Sequence, residues 1–189
     1  MRRKSFLLCF LVILVAVCTV WGDDQPLYLN AKATPEQRTE DLLSRMTLRE
    51  KLGQVTQIEI HRLMKGFWVK GDLDPAWMKK VLVDYGVGSI LSGGDGAPTI
   101  NTPEEWAKMT NAVQEWTMKT RLKIPVLYGV DAVHGHNDVE GATIYPYHLG
   151  LAATFHPELA KEYAALTAEE VAATGIQWTF APVLDVAVT

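Results

Sequence analysis

Residues 124 to 146 read IPVLYGVDAVHGHNDVEGATIYP, an apolar run that stops abruptly in a polar segment crowded with ionisable groups. Ile124 to Tyr128 fit a strand buried on both faces, and Gly129 is expected to let the chain bend as it leaves the sheet. Asp131 then stands at or just past the C-terminal end of that strand, the rim at which ligands bind in a barrel of parallel strands. An ionised carboxylate is acceptor-only and can receive two hydroxyl donors at once. The competing reading of the same position is an Asp that caps the turn following it.

The helix signals on either side of this stretch place it in an alternating chain. Thr34-Pro35-Glu36-Gln37 offers a Thr N-cap, Pro at the first helical position and Gln three residues after the cap, so a helix is expected to run to about Arg45. Thr47 and Glu50 form a second capping pair ahead of Leu48, Leu52, Val55 and Ile58, which read as one amphipathic packing helix. Thr102, Pro103 and Glu105 repeat the pattern before Trp106, Met109, Val113 and Trp116. A further helix is expected from Pro157 to near Thr174, with Gly175 free to take the left-handed cap conformation. Between the helices lie three candidate strands, Val87 to Leu91, Pro125 to Val130 and Trp178 to Pro182. His61 to Lys80 reads as a loop, with a short helix around Pro75 to Val83. Helix alternating with strand argues for an α/β fold with a parallel sheet.

The strand followed by Asp131-Ala-Val-His-Gly135 and then Ala142-Thr-Ile-Tyr-Pro146 resembles the N-terminal barrel of glycoside hydrolase family 3, in its β-glucosidase and exo-glucanase branch. Asp41 to Gln54 is similar to that family's opening helices, and Ala172 to Asp185 to its third barrel strand and lead-in. The resemblance implies the N-terminal part of a (β/α)8 TIM-type barrel with about three strands present. A complete barrel of this type needs about 250 residues, more than the 189 of this chain. It further implies that Asp131 binds hydroxyls of the non-reducing-end sugar, with His134 beside it as a second substrate-binding candidate. His134 is equally open to a role in orienting its loop or bonding a backbone carbonyl. In the family, an Arg-Asp-Pro-Arg-Trp-Gly-Arg-like loop, a Lys-His pair and a Ser-Asp-Trp segment with the nucleophile follow, and these motifs are not among the 189 residues. The expectation is therefore the amino-terminal piece of a longer exo-acting β-glucosidase of retaining mechanism, with no catalytic carboxylate in this piece and no cofactor. The aminosugar branch carries Asp-Gln-Glu-Gly-Gly where this chain has Asp131-Ala-Val-His-Gly135, which favours a glucoside.

Arg2, Arg3 and Lys4 precede an apolar run from Phe6 to Val20, the proportions of a secretory leader rather than a membrane span. Residues 1–22 are read as a signal peptide, residues 23–189 as the partial barrel domain, and the product as secreted or periplasmic; a retained anchor is the alternative. Both cysteines, Cys9 and Cys18, fall in that leader, which leaves packing rather than disulfides to stabilise the remainder. Losing the leader takes the formal net charge from −4 to −7. That balance disfavours nucleic acid and anionic membranes as partners and suits a neutral β-glucoside or oligosaccharide.

The remaining polar residues carry weaker expectations. His136, Asn137, Asp138 and Glu140 read as a solvated rim, and Ser92-Gly-Gly-Asp-Gly96 as a tight turn that matches neither phosphate-binding glycine pattern. Asp185 ends the third strand and could help organise the pocket; Glu170 reads as a packing or surface-pair residue. His134-Gly-His136 after a barrel strand also resembles the metal pair of amidohydrolases, with Asp138 or His148 nearby, so a metal-dependent hydrolase stays open beside the glycosidase. So does a non-catalytic sugar-binding fragment.

Overall fold

The computed structural model describes residues 25–66, 70–94 and 96–184. The leader, Asp95 and Asp185 lie outside them. The chain divides into two compact units, with the boundary in sequence between Thr47 and Leu48. In the first, a 3-10 turn at Leu27–Leu29 leads to α1, Pro35–Arg45. The capping box forms as its sequence predicts: Gln37 N–H donates to Thr34 Oγ1 at 3.3 Å and Gln37 Oε1 accepts from Thr34 N–H at 3.1 Å. Asp41 ties the turn to the helix by accepting from Tyr28 N–H at 3.0 Å while it pairs with Arg45.

The second unit holds α2 (Leu48–Gln54), β1 (Gln57–Glu59), α3 (Pro75–Met78), β2 (Ser89–Ser92), α4 (Pro103–Thr117), β3 (Leu127–Val130), α5 (His148–Ala152), α6 (Pro157–Ala173) and β4 (Trp178–Thr179). A 3-10 turn, Ile60–Leu63, follows β1, and α3 continues as a π-type turn over Lys79–Asp84. Caps again explain the starts: Thr102 Oγ1 accepts from Glu105 N–H, and Asp74 accepts from Ala76 and Trp77 N–H. Gly175 sits at φ 77° after α6, in the left-handed region foreseen for it.

All strand pairs are parallel, in the order β1-β2-β3-β4. The sheet with its intervening helices is that of a partial (β/α)8 barrel, with four strands where the sequence suggested about three. The strand that was missed is β1. Its residues continue the apolar spacing of α2, so Ile58 reads as one more helical position, yet the helix stops at Gln54. Gly53 and Gly88 explain the stop, because each brings bare backbone against the other segment where a Cβ would collide with carbonyl oxygens. Gly88 N–H donates to Gly53 O at 2.9 Å and Ser89 N–H to Thr56 O at 3.3 Å, which draws residues 57–59 into the sheet. Leu48, Leu52 and Val55 are correspondingly exposed rather than packed as the periodicity predicted.

The core lies between the sheet and the helices α3 and α4, where Leu82, Ile90, Trp106, Val113, Tyr128 and Val130 are buried. Gly129 does not bend the chain. It sits inside β3, paired with Leu91 and Trp178, and its missing side chain leaves the space occupied by the Phe180 ring, whose Cζ would stand 2.6 Å from a Cβ there.

Candidate functional site

Parallel pairing aligns the C-terminal ends of the strands along one rim. Ser92 pairs with Val130 and Val130 with Thr179, so Gly93, Asp131 and Phe180 leave the sheet side by side. Asp131 N–H donates to Ser92 O at 3.2 Å and Phe180 N–H to Val130 O at 3.1 Å, which extends the ladder one step and fixes the Asp131 backbone. Beneath it Tyr128 OH bonds Ser92 Oγ at 2.7 Å, and Ser92 Oγ donates to Gly96 O at 2.9 Å. Burial raises the Tyr128 phenol far above its ordinary pKa, so it stays a neutral donor. The glycine-rich segment after β2 is the tight turn expected, closed by Gly96 N–H to Gly93 O at 3.2 Å.

The Asp131 side chain is partly exposed, and among the described residues no donor reaches its carboxylate. The turn it was a candidate to cap is closed otherwise. Val133 N–H donates to Asp131 O at 2.9 Å and to the side-chain Oδ1 of Asn137 at 3.1 Å. A carboxylate at a strand end with both oxygens available can accept hydroxyl donors from a ligand.

His134 lies in the same loop, its ring against Tyr147 with centroids 4.4 Å apart. Its backbone carbonyl accepts from Tyr145 N–H at 2.9 Å, while Nδ1 is buried and has no partner among the described residues. His136 does not belong to a solvated rim. It is fully buried, edge-on to Trp106, with Nε2 2.8 Å from Thr174 Oγ1. Thr174 Oγ1 donates onward to Val171 O, so it accepts from His136, which assigns the proton to Nε2. Burial pulls this imidazole down from 6.5 to about 4 and keeps it neutral near pH 7. The two histidine rings thus have different neighbours, and among the described residues no group of three His, Cys, Asp or Glu could hold a metal ion. The amidohydrolase reading needs both rings on one ion, whereas the His136 Nε2–H is committed to Thr174.

One face of α6 holds the loop that begins at Asp131. Tyr163 OH donates to Val133 O at 2.8 Å, Glu170 accepts from Thr143 N–H and Oγ1, and Thr174 just past the helix accepts from His136. These positions are seven and eleven residues from the first, a spacing that puts them on one helical face. From the other side Asn101 bridges Trp106 Nε1 and Asp138 O at 2.6 and 2.9 Å. The sequence held a signal for this stripe, but it lay in spacing measured against a loop whose path was unknown. Of the two roles open to Glu170, packing or a surface pair, the structure shows the pair, made with the exposed Thr143 of the loop. Glu140 stays on the exposed rim, 3.5 Å from Lys70.

The glycosyl hydrolase family 3 N terminal domain matches residues 47–189, the stretch that holds all four strands of the sheet. The chain belongs to glycosyl hydrolase family 3. Lysosomal beta glucosidase of Dictyostelium discoideum is 35% identical over 167 residues, covering 85% of this chain and 20% of that protein. Periplasmic beta-glucosidase of Salmonella typhimurium is 30% identical over 182 residues, covering 95% and 21% respectively. The family 3 chain thus spans about a fifth of the length of these curated relatives. Among solved structures, a fungal multi-domain GH3 beta-N-acetylglucosaminidase superposes with TM-score 0.60 at 24% identity, over 74% of this chain and 15% of that one. At that identity the likeness speaks for the shared fold.

Proposed function

We propose that residues 23–189 form the amino-terminal part of the barrel of an exported, exo-acting β-glucosidase that hydrolyses O-glycosyl bonds of β-D-glucosides from the non-reducing end. In this reading Asp131 receives hydroxyls of the terminal sugar and His134, braced by Tyr147, flanks it. The observation that carries the proposal is the Asp131 carboxylate at the end of β3, which meets no donor among the described residues and whose turn is capped by Asn137 instead. The family's retaining route sets a nucleophile and an acid/base carboxylate about 5 to 5.5 Å apart across the scissile bond. The segment that bears the nucleophile in the family is not among these residues, so the part assigned to this chain is to grip and orient the sugar.

Asp131→Asn in the enzyme that carries this segment tests the assignment. The amide keeps the size but presents one oxygen and two donors to sugar hydroxyls that need acceptors. Losing one charge-assisted bond of about 1.5 to 3 kcal/mol lowers kcat/KM by about 10- to 150-fold. Unchanged kcat/KM on an aryl β-glucoside would remove Asp131 from the site. Export is supported by the basic-then-apolar opening of the chain and by the periplasmic name of the Salmonella relative. Mature protein from an exporting host is expected to begin between Trp21 and Gln25 on N-terminal sequencing; an intact Met1 would support a retained anchor.

A further inference from the structure

Gly93 and Gly94 follow β2 as a pair, but the structure uses them for different reasons. Gly94 has φ 57°, in the left-handed region, and a Cβ there would meet open space. Gly93 does not adopt a positive φ, so a side chain there meets no left-handed backbone strain. What a Cβ at Gly93 would meet is the Asp131 carboxylate: Oδ2 at 2.5 Å and Cγ at 3.5 Å, with no other described atom within 4 Å outside the adjoining residues. The parallel register explains the approach, since Gly93 and Asp131 are the residues that follow the paired Ser92 and Val130.

We infer that Gly93 is a positioning residue for the Asp131 carboxylate: its bare Cα leaves the space in which Oδ2 rests, and any side chain there turns the carboxylate away from the sugar. The inference rests on the reading of Asp131 as the sugar ligand and adds a second residue to it. The steric conflict is with the far end of one short side chain and not with backbone. Asp131 can relieve it by rotating about its own side-chain bonds, because among the described residues nothing holds its carboxylate. The expected effect of a methyl group at this position is therefore on the ligand and not on the fold.

The test is a double-mutant cycle in the enzyme that carries this segment, with Gly93→Ala, Asp131→Asn and the pair assayed on an aryl β-glucoside, together with glucose affinity as product and thermal unfolding. Gly93→Ala is expected to lower kcat/KM by at least about tenfold and to weaken glucose binding, the scale of one lost charge-assisted bond, with no change in Tm. In the Asp131→Asn background the same substitution is expected to have little further effect, because the group it displaces has already lost its function. Full additivity, wild-type kcat/KM in Gly93→Ala, or a loss of folding in Gly93→Ala would each overturn the inference. A silent Asp131→Asn would instead sink the assignment of Asp131 itself, so the two failures are distinguishable.

Discussion

His136 shows how one residue in a site loop can act through stability instead of chemistry. Its Nε2–H is committed to Thr174, and its buried Nδ1 faces no acceptor among the described residues. Protonation would place a charge and a new donor where neither is solvated, which is why the folded-state pKa falls to about 4. The unfolded chain takes up this proton near 6.5, so the contribution to stability is complete above that pH and is lost as pH falls from about 6.5 towards 4. A single proton sets a slope of at most about 1.4 kcal/mol per pH unit. His136→Gln keeps a donor for Thr174 without the titration, so urea midpoints of dilute chain are expected to depend less on pH between 6.5 and 4 than those of wild type. Parallel curves for the two proteins would exclude His136 as the group.

The element that governs the site loop is α6, through the stripe at Tyr163, Glu170 and the adjoining Thr174. The cost of removing each anchor follows its burial. Thr174→Val leaves the buried His136 Nε2–H unpaired and is expected to cost about 1 to 3 kcal/mol. Tyr163→Phe removes a partly buried bond to Val133 O and should cost about 1 kcal/mol. Glu170→Gln, whose partner Thr143 is exposed, should cost least. Hydrogen exchange across residues 131–144 ranks the three, and a ranking that ignores burial would show that the loop is held elsewhere. Capping chemistry was legible at this scale: α1, α4 and α6 begin at their sequence signals, and α1 and α6 end within a residue or two of where they were expected to, because caps are local interactions. The end of α2 was not legible. Two glycines 35 positions apart in the chain decide it by allowing backbone contact, and helical spacing carries no trace of that meeting.

The second unit leaves much apolar surface uncovered. Leu149, Phe155 and Leu184 are 85%, 93% and 79% exposed, and a largely apolar cavity of about 630 Å3 opens between α5, α6 and the chain after β4. In the sheet order β4 pairs only with β3, so its other edge lacks a strand partner among the described residues. Surface of this kind associates. The 189-residue chain by itself is expected to show concentration-dependent self-association by size exclusion with light scattering, and the same preparation to leave a chromogenic β-glucoside intact. A monodisperse monomer across concentrations would contradict the reading of this surface as one that associates, and turnover above a buffer control the proposal that this segment only grips and orients the sugar.

What the sequence by itself determined is the set of features whose causes are short-range: the caps, the alternation of helix and strand, the apolar run that becomes β3, and the emergence of Asp131 at its end. The family motif around Asp131 added the barrel, and the glucoside reading rests on it as a proposal. The tertiary structure alone decided which of the loop's polar residues face solvent and which are buried, so that His136 became an internal clamp while the Asp131 carboxylate met no donor among the described residues. It also decided the strand status of residues 57–59 and the closeness of Gly93 to Asp131. The physical reason is common to all of these. Each depends on two segments far apart in the chain approaching to within a hydrogen bond or a methyl radius, and register across a parallel sheet is set by the packing of the whole unit and not by either segment alone.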